Sequence, residues 1–337
     1  MVDYVNVIQI GLSILVIIAF GFIGFKFKFM PMSAISTMNL FLFKVCYLCL
    51  IARNLSKKKI RELNFMPFVV GTMTTISTYV VFCLFFLLPF KDKFKNYLSA
   101  VLPCAFVNYL VIGFPIFNSM WDPSENIMVP IISLSNDLIT TPIYLILSNI
   151  YLVRRQPTEA EPGDAPVKKK SAFDIFKVVI IQIISSPIII GNVLGIIWSA
   201  TGWKLPTFLI SLMDYLGDEV LGICLICVGG FIAQNSIVAC HWLKFLCCLF
   251  VRHVLSPLFT AIFCFAFKLS NKLSRQCILM SCLPTGTTSF IMSSISGIGP
   301  GVSSTMIFWS TILCVPFLLI WIEVLDNLHL FVEENTI

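Results

Sequence analysis

Two interrupted apolar segments contain the residues best suited to bind a ligand. Residues 108–117 read NYLVIGFPIF, in which Asn108, Gly113 and Pro115 break a long apolar run. Proline removes a backbone hydrogen bond and clashes with the preceding helical turn, so a break inside lipid must find other polar partners. A broken helix presents N–H groups with partial positive charge at its new N-terminus. An amide beside such a break therefore predicts non-covalent binding of an anion.

A second break of the same kind occurs in the other half of the chain. Residues 283–290 read LPTGTTSF, where a proline and a glycine accompany four hydroxyl side chains. The predicted binding residues of this break are Pro284, Thr285, Gly286, Thr287, Thr288 and Ser289. Discontinuous helices at corresponding places in two halves of a membrane protein indicate a binding site near the middle of the bilayer. We therefore expect the two breaks to form one site.

The composition places these breaks in a membrane protein. Of 337 residues, 58% are hydrophobic and only 12% are charged, and the mean hydropathy of +0.94 is far above that of a soluble domain. About ten segments reach the roughly 20 apolar residues that span a bilayer as a helix, and residues 97–120 and 275–298 contain the breaks. Runs such as CLICVGGFIA are apolar on every side, which is typical of helices. The predicted fold class is an all-α membrane protein of ten transmembrane helices.

A hydrophilic linker divides the chain into two halves. Between the fifth and sixth segments lies RRQPTEAEPGDAPVKKK, which has too few large apolar residues to fold on its own. We assign residues 1–153 to a first five-helix repeat, 154–172 to a linker and 173–337 to a second five-helix repeat. An odd number of helices per half inverts the second copy, as in many secondary transporters. Basic residues are more numerous in the loops on the linker side, which favours a cytoplasmic linker.

The two halves also align with each other along their sequences. Residues 102–109 align with 283–290, so that Pro103 falls on Pro284. Residues 136–142 align with 310–316, so that Asn136 falls on Ser310. Because these matches occur in the same order in both halves, an internal repeat is the favoured interpretation.

A few ionisable residues inside the apolar segments are candidate functional groups. A charge near the bilayer centre costs on the order of 2.5–3.5 kcal/mol even on the lenient insertion scale, so each needs a partner or a function. Asp137, next to Asn136, is predicted either to form a structural ion pair or to act as a coupling or gating acid. Arg252 is predicted either to pair with Asp137 or with acids of the seventh helix, or to raise the local potential for an anionic substrate.

Other function classes find little support in the sequence. The three histidines are scattered, and no catalytic triad order or metal-ligand spacing stands out, so we expect neither an enzyme nor a bound metal or cofactor. The formal net charge of +6 arises in loops beside the bilayer, where basic residues meet anionic lipid, so nucleic acid is not an expected partner. The expected partners are a small organic anion and the lipid bilayer, and a homodimer is left open.

The motifs at the two breaks resemble those of the auxin efflux carrier (PIN-like) family of membrane transporters. NYLVIGFP is similar to the family's Asn-x-Leu-Val-x-Gly-x-Pro signature, and LPTGTTSF resembles its Leu-Pro-x-Gly-x-x-x-Phe motif. The resemblance covers nearly the whole chain and includes the ten-helix plan and the central linker. It implies two inverted repeats whose fourth and ninth helices are broken at Pro115 and Pro284 and cross near the membrane centre. It also implies alternating-access transport of an organic anion whose carboxylate faces Asn108.

Departures from the family pattern leave the substrate and the coupling open. Tyr47 stands at or near a position where members usually have a proline, and Ser289 stands where plant auxin carriers have one, so specificity for auxin does not transfer. A sodium-coupled carrier of the bile-acid symporter kind and a transporter-shaped receptor or scaffold are the alternative functions. Either the plasma membrane or the endoplasmic reticulum is an expected location.

Overall fold

The protein is built from apolar helices. The computed structural model describes residues 4–56, 63–89, 91–122, 125–155, 177, 180–181, 184–234 and 238–331. Within these residues seven helices are long and apolar enough to cross a membrane, and Pro187–Thr201 is a shorter apolar helix. The chain is thus an all-helical, multi-pass integral membrane protein, as its composition predicted. The linker predicted at 154–172 lies outside the described residues from residue 156 onward.

The helices of the first half include one that is broken at residues 106–112. In chain order they are α1 (Tyr4–Lys26), α2 (Ser33–Phe41), α3 (Tyr47–Ser56), α4 (Met66–Phe82), α5 (Lys93–Ala105), α6 (Gly113–Met120), α7 (Met128–Ser135) and α8 (Thr141–Arg155).

The helices of the second half include one that is broken at residues 282–287. They are α9 (Pro187–Thr201), α10 (Thr207–Gln234), α11 (Trp242–Phe250), α12 (Ser256–Ala266), α13 (Asn271–Ser281), α14 (Thr288–Ser296) and α15 (Pro300–Asn327).

Wide π-turns join α7 to α8 and α11 to α12. They span Asn136–Thr140 and Val251–Leu255, and each is followed by a proline at the second position of the next helix, Pro142 and Pro257. In regular α-geometry a proline ring clashes with the carbonyl four residues earlier, which in both cases lies inside the π-turn. The wider turn accommodates the ring without ending the helix. As a result, polar residues inside these turns face the interior of the protein.

A third π-turn joins α2 to α3 without a proline. It spans Leu42–Cys46 and ends directly before Tyr47, the residue that stands near the family's expected proline. The second transmembrane helix is therefore interrupted directly before Tyr47 even though the proline is absent.

Two bundles of helices pack mainly within themselves. In bundle A, α1, α3, α9 and α10 lie against one another. In bundle B, α4, α5 and α7 pack with α12, α13 and α15, and α14 packs against α5 and α15. The hydroxyls of Thr74 and Thr260 join α4 to α12 at 2.9 Å. The α6 helix contacts α1 of bundle A as well as bundle B.

The backbones of α1 and α10 approach closely at small residues. A Cβ atom placed on Gly229 would overlap the carbonyl oxygen of Ile18, and one placed on Gly21 would overlap the carbonyl oxygen of Ile226. Glycines that let backbones come together are the usual means of holding helices in lipid, where apolar side chains gain nothing from leaving the solvent.

We predict that Gly229→Ala lowers the free energy of unfolding by about 1–3 kcal/mol, because an added methyl group overpacks the interface between α1 and α10. The matched control is Gly222→Ala in the same helix, where no atom lies within 4 Å of the added Cβ. Thermal unfolding of both purified variants in one detergent measures the difference. Equal melting temperatures would contradict the close approach of the two helices.

Candidate functional site

The two breaks meet inside bundle B and pair through their backbones. The N–H of Asn108 donates to the carbonyl of Pro284 at 2.9 Å, and the N–H of Gly286 donates to the carbonyl of Phe106 at 2.9 Å. The residues between these bonds, Val107 and Thr285, form an antiparallel β-bridge. We call this pairing of residues 106–108 with 284–286 the crossing.

Polar side chains from outside the breaks support both strands of the crossing. The side-chain amide of Asn136 donates to the carbonyl of Val107 at 2.7 Å and accepts from its N–H at 3.3 Å. On the other strand, the hydroxyl of Ser310 accepts a 3.0 Å bond from the N–H of Thr285. Asn136 and Ser310 therefore perform the same task on opposite strands, which agrees with their alignment in the sequence.

The aligned residues Pro103 and Pro284 lie in different structural settings. Pro103 lies inside α5, two residues before its end, whereas Pro284 lies in the extended segment of the crossing. The two hydrogen bonds of the crossing are related by a local two-fold axis that exchanges Val107 with Thr285. The matching Leu-Pro letters thus belong to different structural positions in the two breaks.

A small cavity adjoins the crossing. Its volume is about 40 Å³, and its wall includes Asn108, Asp137, Gly286, Thr287 and Thr288. Since one water needs about 10–15 Å³ of such space, the cavity accommodates a few waters and is too small for an organic ion in this conformation.

A larger cavity lies next to the small one. It has a volume of about 320 Å³ and shares Phe106, Asp137, Ile188 and Thr288 with the small cavity. The rest of its wall is mostly apolar and comes from α8, α14 and the start of α9. Ligand pockets are typically apolar with a few placed polar groups, and the two cavities together have this character.

The predicted binding residues divide into those on the cavity wall and those that build the crossing. Asn108, Gly286, Thr287 and Thr288 line the small cavity. The predicted residues that build the backbone of the breaks are Gly113, Pro115, Pro284, Thr285 and Ser289.

These five residues satisfy or shape the backbone of the breaks. The hydroxyl of Thr285 donates to the carbonyl of Pro103 at 2.7 Å, and that of Ser289 donates to the carbonyl of Gly286 at 2.7 Å. Gly113 begins α6, and Pro115 lies in its first turn, where a missing N–H leaves no helical bond unmade. Pro115 is therefore not part of the crossing, because the paired segment ends before α6 begins.

Asn108 lies on the wall of the small cavity with its main chain held on both sides. Its backbone N–H donates to the carbonyl of Pro284, and its own carbonyl accepts from the N–H of Gly113 at 3.2 Å. Its side chain makes no hydrogen bond to the part of the chain that the structure describes. The amide can thus donate to or accept from a ligand.

Asp137 also lacks a partner within the described residues. Asp137 lines both cavities, and none of the ion pairs in this part of the chain involves it. The structural ion pair considered for Asp137 is therefore not formed with any residue that the structure describes.

Arg252 makes a different set of contacts from those predicted. It is 1% exposed, and its guanidinium donates to the carbonyls of Cys104, Ser281 and Leu283. It therefore pairs neither with Asp137 nor with an acid of the seventh helix. Backbone carbonyls at helix ends leave no trace in a sequence, which is why this arrangement was not predicted.

Two acids of the predicted seventh transmembrane helix, which is α10, have their own cation. Arg53, at the end of α3, donates to the carboxylate of Asp214 at 2.6 Å and to that of Asp218 at 3.0 Å. These contacts tie α3 to α10 inside bundle A.

Bundle A contributes side chains to the cavity that the sequence analysis did not assign to the site. Tyr47 lines the small cavity, and its hydroxyl lies 3.3 Å from the sulfur of Cys224. Ile188, at the start of α9, lines both cavities. The sequence analysis noted Tyr47 only because family members usually have a proline at or near its position. Ile188 was not predicted, because apolar residues are common in every segment.

Comparison with known proteins assigns the family. A family model described as a membrane transport protein matches residues 7–322. Auxin efflux carrier component 8 of Arabidopsis thaliana is 25% identical over 259 residues, which cover 67% of this chain and 69% of the relative. Probable auxin efflux carrier component 5b of Oryza sativa subsp. japonica is 24% identical over 162 residues, which cover 47% of this chain and 44% of the relative.

Auxin efflux carrier component 4 of Arabidopsis thaliana is 25% identical over 145 residues, which cover 42% of this chain and 24% of that relative. The match thus spans less than half the length of the second and third of these relatives. Members of the matched family are transporters and not enzymes. Because the family model covers nearly the whole chain, the protein belongs to the membrane transport protein family that includes the auxin efflux carriers.

Proposed function

We propose that the protein is a secondary carrier that binds a small organic anion at the crossing and moves it across the membrane by alternating access. The observation that carries the proposal is Asn108, whose side-chain amide has no hydrogen-bond partner among the described residues and which shares a cavity wall with the N-terminus of α14. Helix N-termini attract anions through unpaired N–H groups and the helix dipole. The relatives' names suggest a small organic acid as the substrate.

The architecture proposed for this carrier is a pair of inverted five-helix repeats, residues 1–153 and 173–337, with ten transmembrane helices in all. The local two-fold relation at the crossing supports it, because an inverted repeat brings equivalent segments together in antiparallel fashion. The equivalent roles of Asn136 and Ser310 support it as well.

Relative motion of bundles A and B is the proposed means of opening the site. The cavity wall combines Tyr47 and Ile188 of bundle A with Asn108 and Thr288 of bundle B. The bundles also touch where the rings of Phe231 and Phe290 lie 4.5 Å apart, edge to face. Separation of the bundles on either side enlarges the closed cavity without breaking the hydrogen bonds of the crossing, all of which lie within bundle B.

Asp137 is proposed as a coupling or gating acid. An ionised carboxylate on the cavity wall repels an anionic substrate, and protonation removes that repulsion. The other titratable side chains among the described residues of the two cavity walls are Tyr47 and Tyr109, and no lysine or arginine lies on them. A proton on Asp137 therefore favours binding of the anion.

We predict that Asn108→Ala raises the KM for a transported carboxylate roughly 10- to 100-fold, which corresponds to the loss of a hydrogen bond to a charged group. The measurement is flux into liposomes with a panel of carboxylates that includes indole-3-acetate and benzoate. The matched control is Asn118→Ala, which removes an exposed amide on α6, and its KM is expected to equal that of the wild type.

Three outcomes of the flux assay contradict parts of this proposal. Flux that survives Asn108→Ala unchanged removes the site from the crossing. Flux that stops when choline replaces sodium favours the sodium-coupled alternative. Binding without flux for every carboxylate favours a receptor or scaffold.

We predict that uptake at low substrate concentration rises as the pH falls in the wild type, because protonation of Asp137 relieves the repulsion. Asp137→Asn, which is permanently neutral, is expected to bind the anion more tightly and to lose this pH dependence, whereas Asp137→Glu retains it. Initial rates between pH 5 and 8, measured for an acid that stays ionised over that range, test the prediction. Identical pH profiles for wild type and Asp137→Asn would remove Asp137 from the mechanism.

A further inference from the structure

We infer that Arg252 makes the crossing selective for anions by neutralising the negative ends of two broken helices. It is a positioning residue for the site, since it touches backbone carbonyls and not the cavity. This inference rests on the proposed function and specifies which residue determines the charge preference of that site.

Four helix ends meet at the crossing. The C-termini of α5 and α13 precede the two extended segments, and the N-termini of α6 and α14 follow them. Each C-terminus carries roughly half a negative charge and each N-terminus roughly half a positive charge. Without another charge, the four ends nearly cancel, and the crossing has no strong preference for either sign.

The guanidinium of Arg252 contacts both negative ends at once. Its Nε and one terminal nitrogen donate to the carbonyl of Leu283 at 2.8 and 2.7 Å, and that nitrogen also donates to the carbonyl of Ser281 at 2.8 Å. The other terminal nitrogen donates to the carbonyl of Cys104, at the end of α5, at 3.1 Å. One side chain thus joins the last turns of α5 and α13.

The neighbouring His253 adds a further contact at the same end of α13. Its Nδ1 lies 3.1 Å from the carbonyl of Cys282, and its ring stacks on Phe317 at 4.5 Å. Three successive carbonyls at or beyond the end of α13, those of residues 281–283, are therefore in contact with side chains of one π-turn.

The charge of Arg252 is not cancelled by an acid. All of its hydrogen bonds within the described residues go to backbone carbonyls, and arginine stays protonated in proteins. The full positive charge therefore offsets the two partial negative charges. The positive N-termini of α6 and α14 then determine the sign of the electrostatic potential at the crossing. Asp137 is the acid on the described cavity walls that opposes this field.

The shape of the guanidinium explains why arginine occupies this place. Its planar fork directs donors along several fixed directions, so it reaches carbonyls on two helices. Lysine carries the same charge on a single nitrogen and satisfies fewer of these carbonyls. Charge and geometry can therefore be separated by substitution.

The experiment compares anions with uncharged molecules of nearly the same shape. The probes are indole-3-acetate and benzoate, with indole-3-acetamide and benzamide as neutral counterparts, and binding is measured on the full chain in nanodiscs. We expect the wild type to prefer each acid over its amide by roughly tenfold, as for a charge-assisted interaction. Arg252→Gln is expected to lose this preference, and Arg252→Lys is expected to keep most of it.

The control substitution removes a positive charge from the same helix far from the crossing. Lys244 in α11 donates to the side chains of Asn96 and Ser99, near the start of α5. Lys244→Gln therefore lowers the net charge equally and is expected to leave the preference unchanged. Melting temperatures of all variants report folding separately from the preference for charge.

Each outcome has a defined meaning. A wild type that does not prefer the acids contradicts the proposed function, and the inference fails with it. A wild type that prefers the acids, together with a folded Arg252→Gln that prefers them equally, overturns the inference alone. If Arg252→Gln does not fold, a folded Arg252→Lys that has lost the preference overturns it, because the positive charge is still present.

Discussion

The structure depends on two backbone hydrogen bonds between segments that lie far apart in the chain. The bonds from Asn108 to Pro284 and from Gly286 to Phe106 satisfy peptide groups that no helix satisfies, in the buried interior of the protein. Each break therefore supplies hydrogen-bond partners that the other needs. The supporting side chain of Asn136 completes the bonding of one strand and fixes its position against the neighbouring helix.

The same requirement places the residues that line the cavity. The backbone of Asn108 is held on both sides, and the first residues of α14 line the same small cavity. The carbonyls freed at the ends of α5 and α13 are satisfied by Arg252, which fixes where the remaining partial charges lie. The polar groups that satisfy the broken backbone are therefore the same groups that arrange the proposed binding site.

The positions of the two helix breaks were predicted from the sequence, and the errors have identifiable causes. Breaks at prolines and glycines are local, so the segments that contain Asn108 and Pro284 were found directly. The aligned residues Pro103 and Pro284 lie in different structural settings because identical letters need not occupy the same phase of a hydrogen-bond pattern. The partners of Arg252 were sought among acids because side-chain charges are visible in a sequence, whereas free carbonyls appear only when helix ends are located in space.

The sequence by itself determined the membrane environment, the helical class and the positions of the breaks. These depend on hydrophobicity and backbone propensity, which are properties of neighbouring residues. Only the tertiary structure decided which groups meet: that Val107 pairs with Thr285, that Tyr47 of bundle A reaches the cavity, and that Asp137 has no partner among the described residues. Such contacts join residues far apart in the chain, and they are selected by the packing of whole helices, which no local pattern encodes.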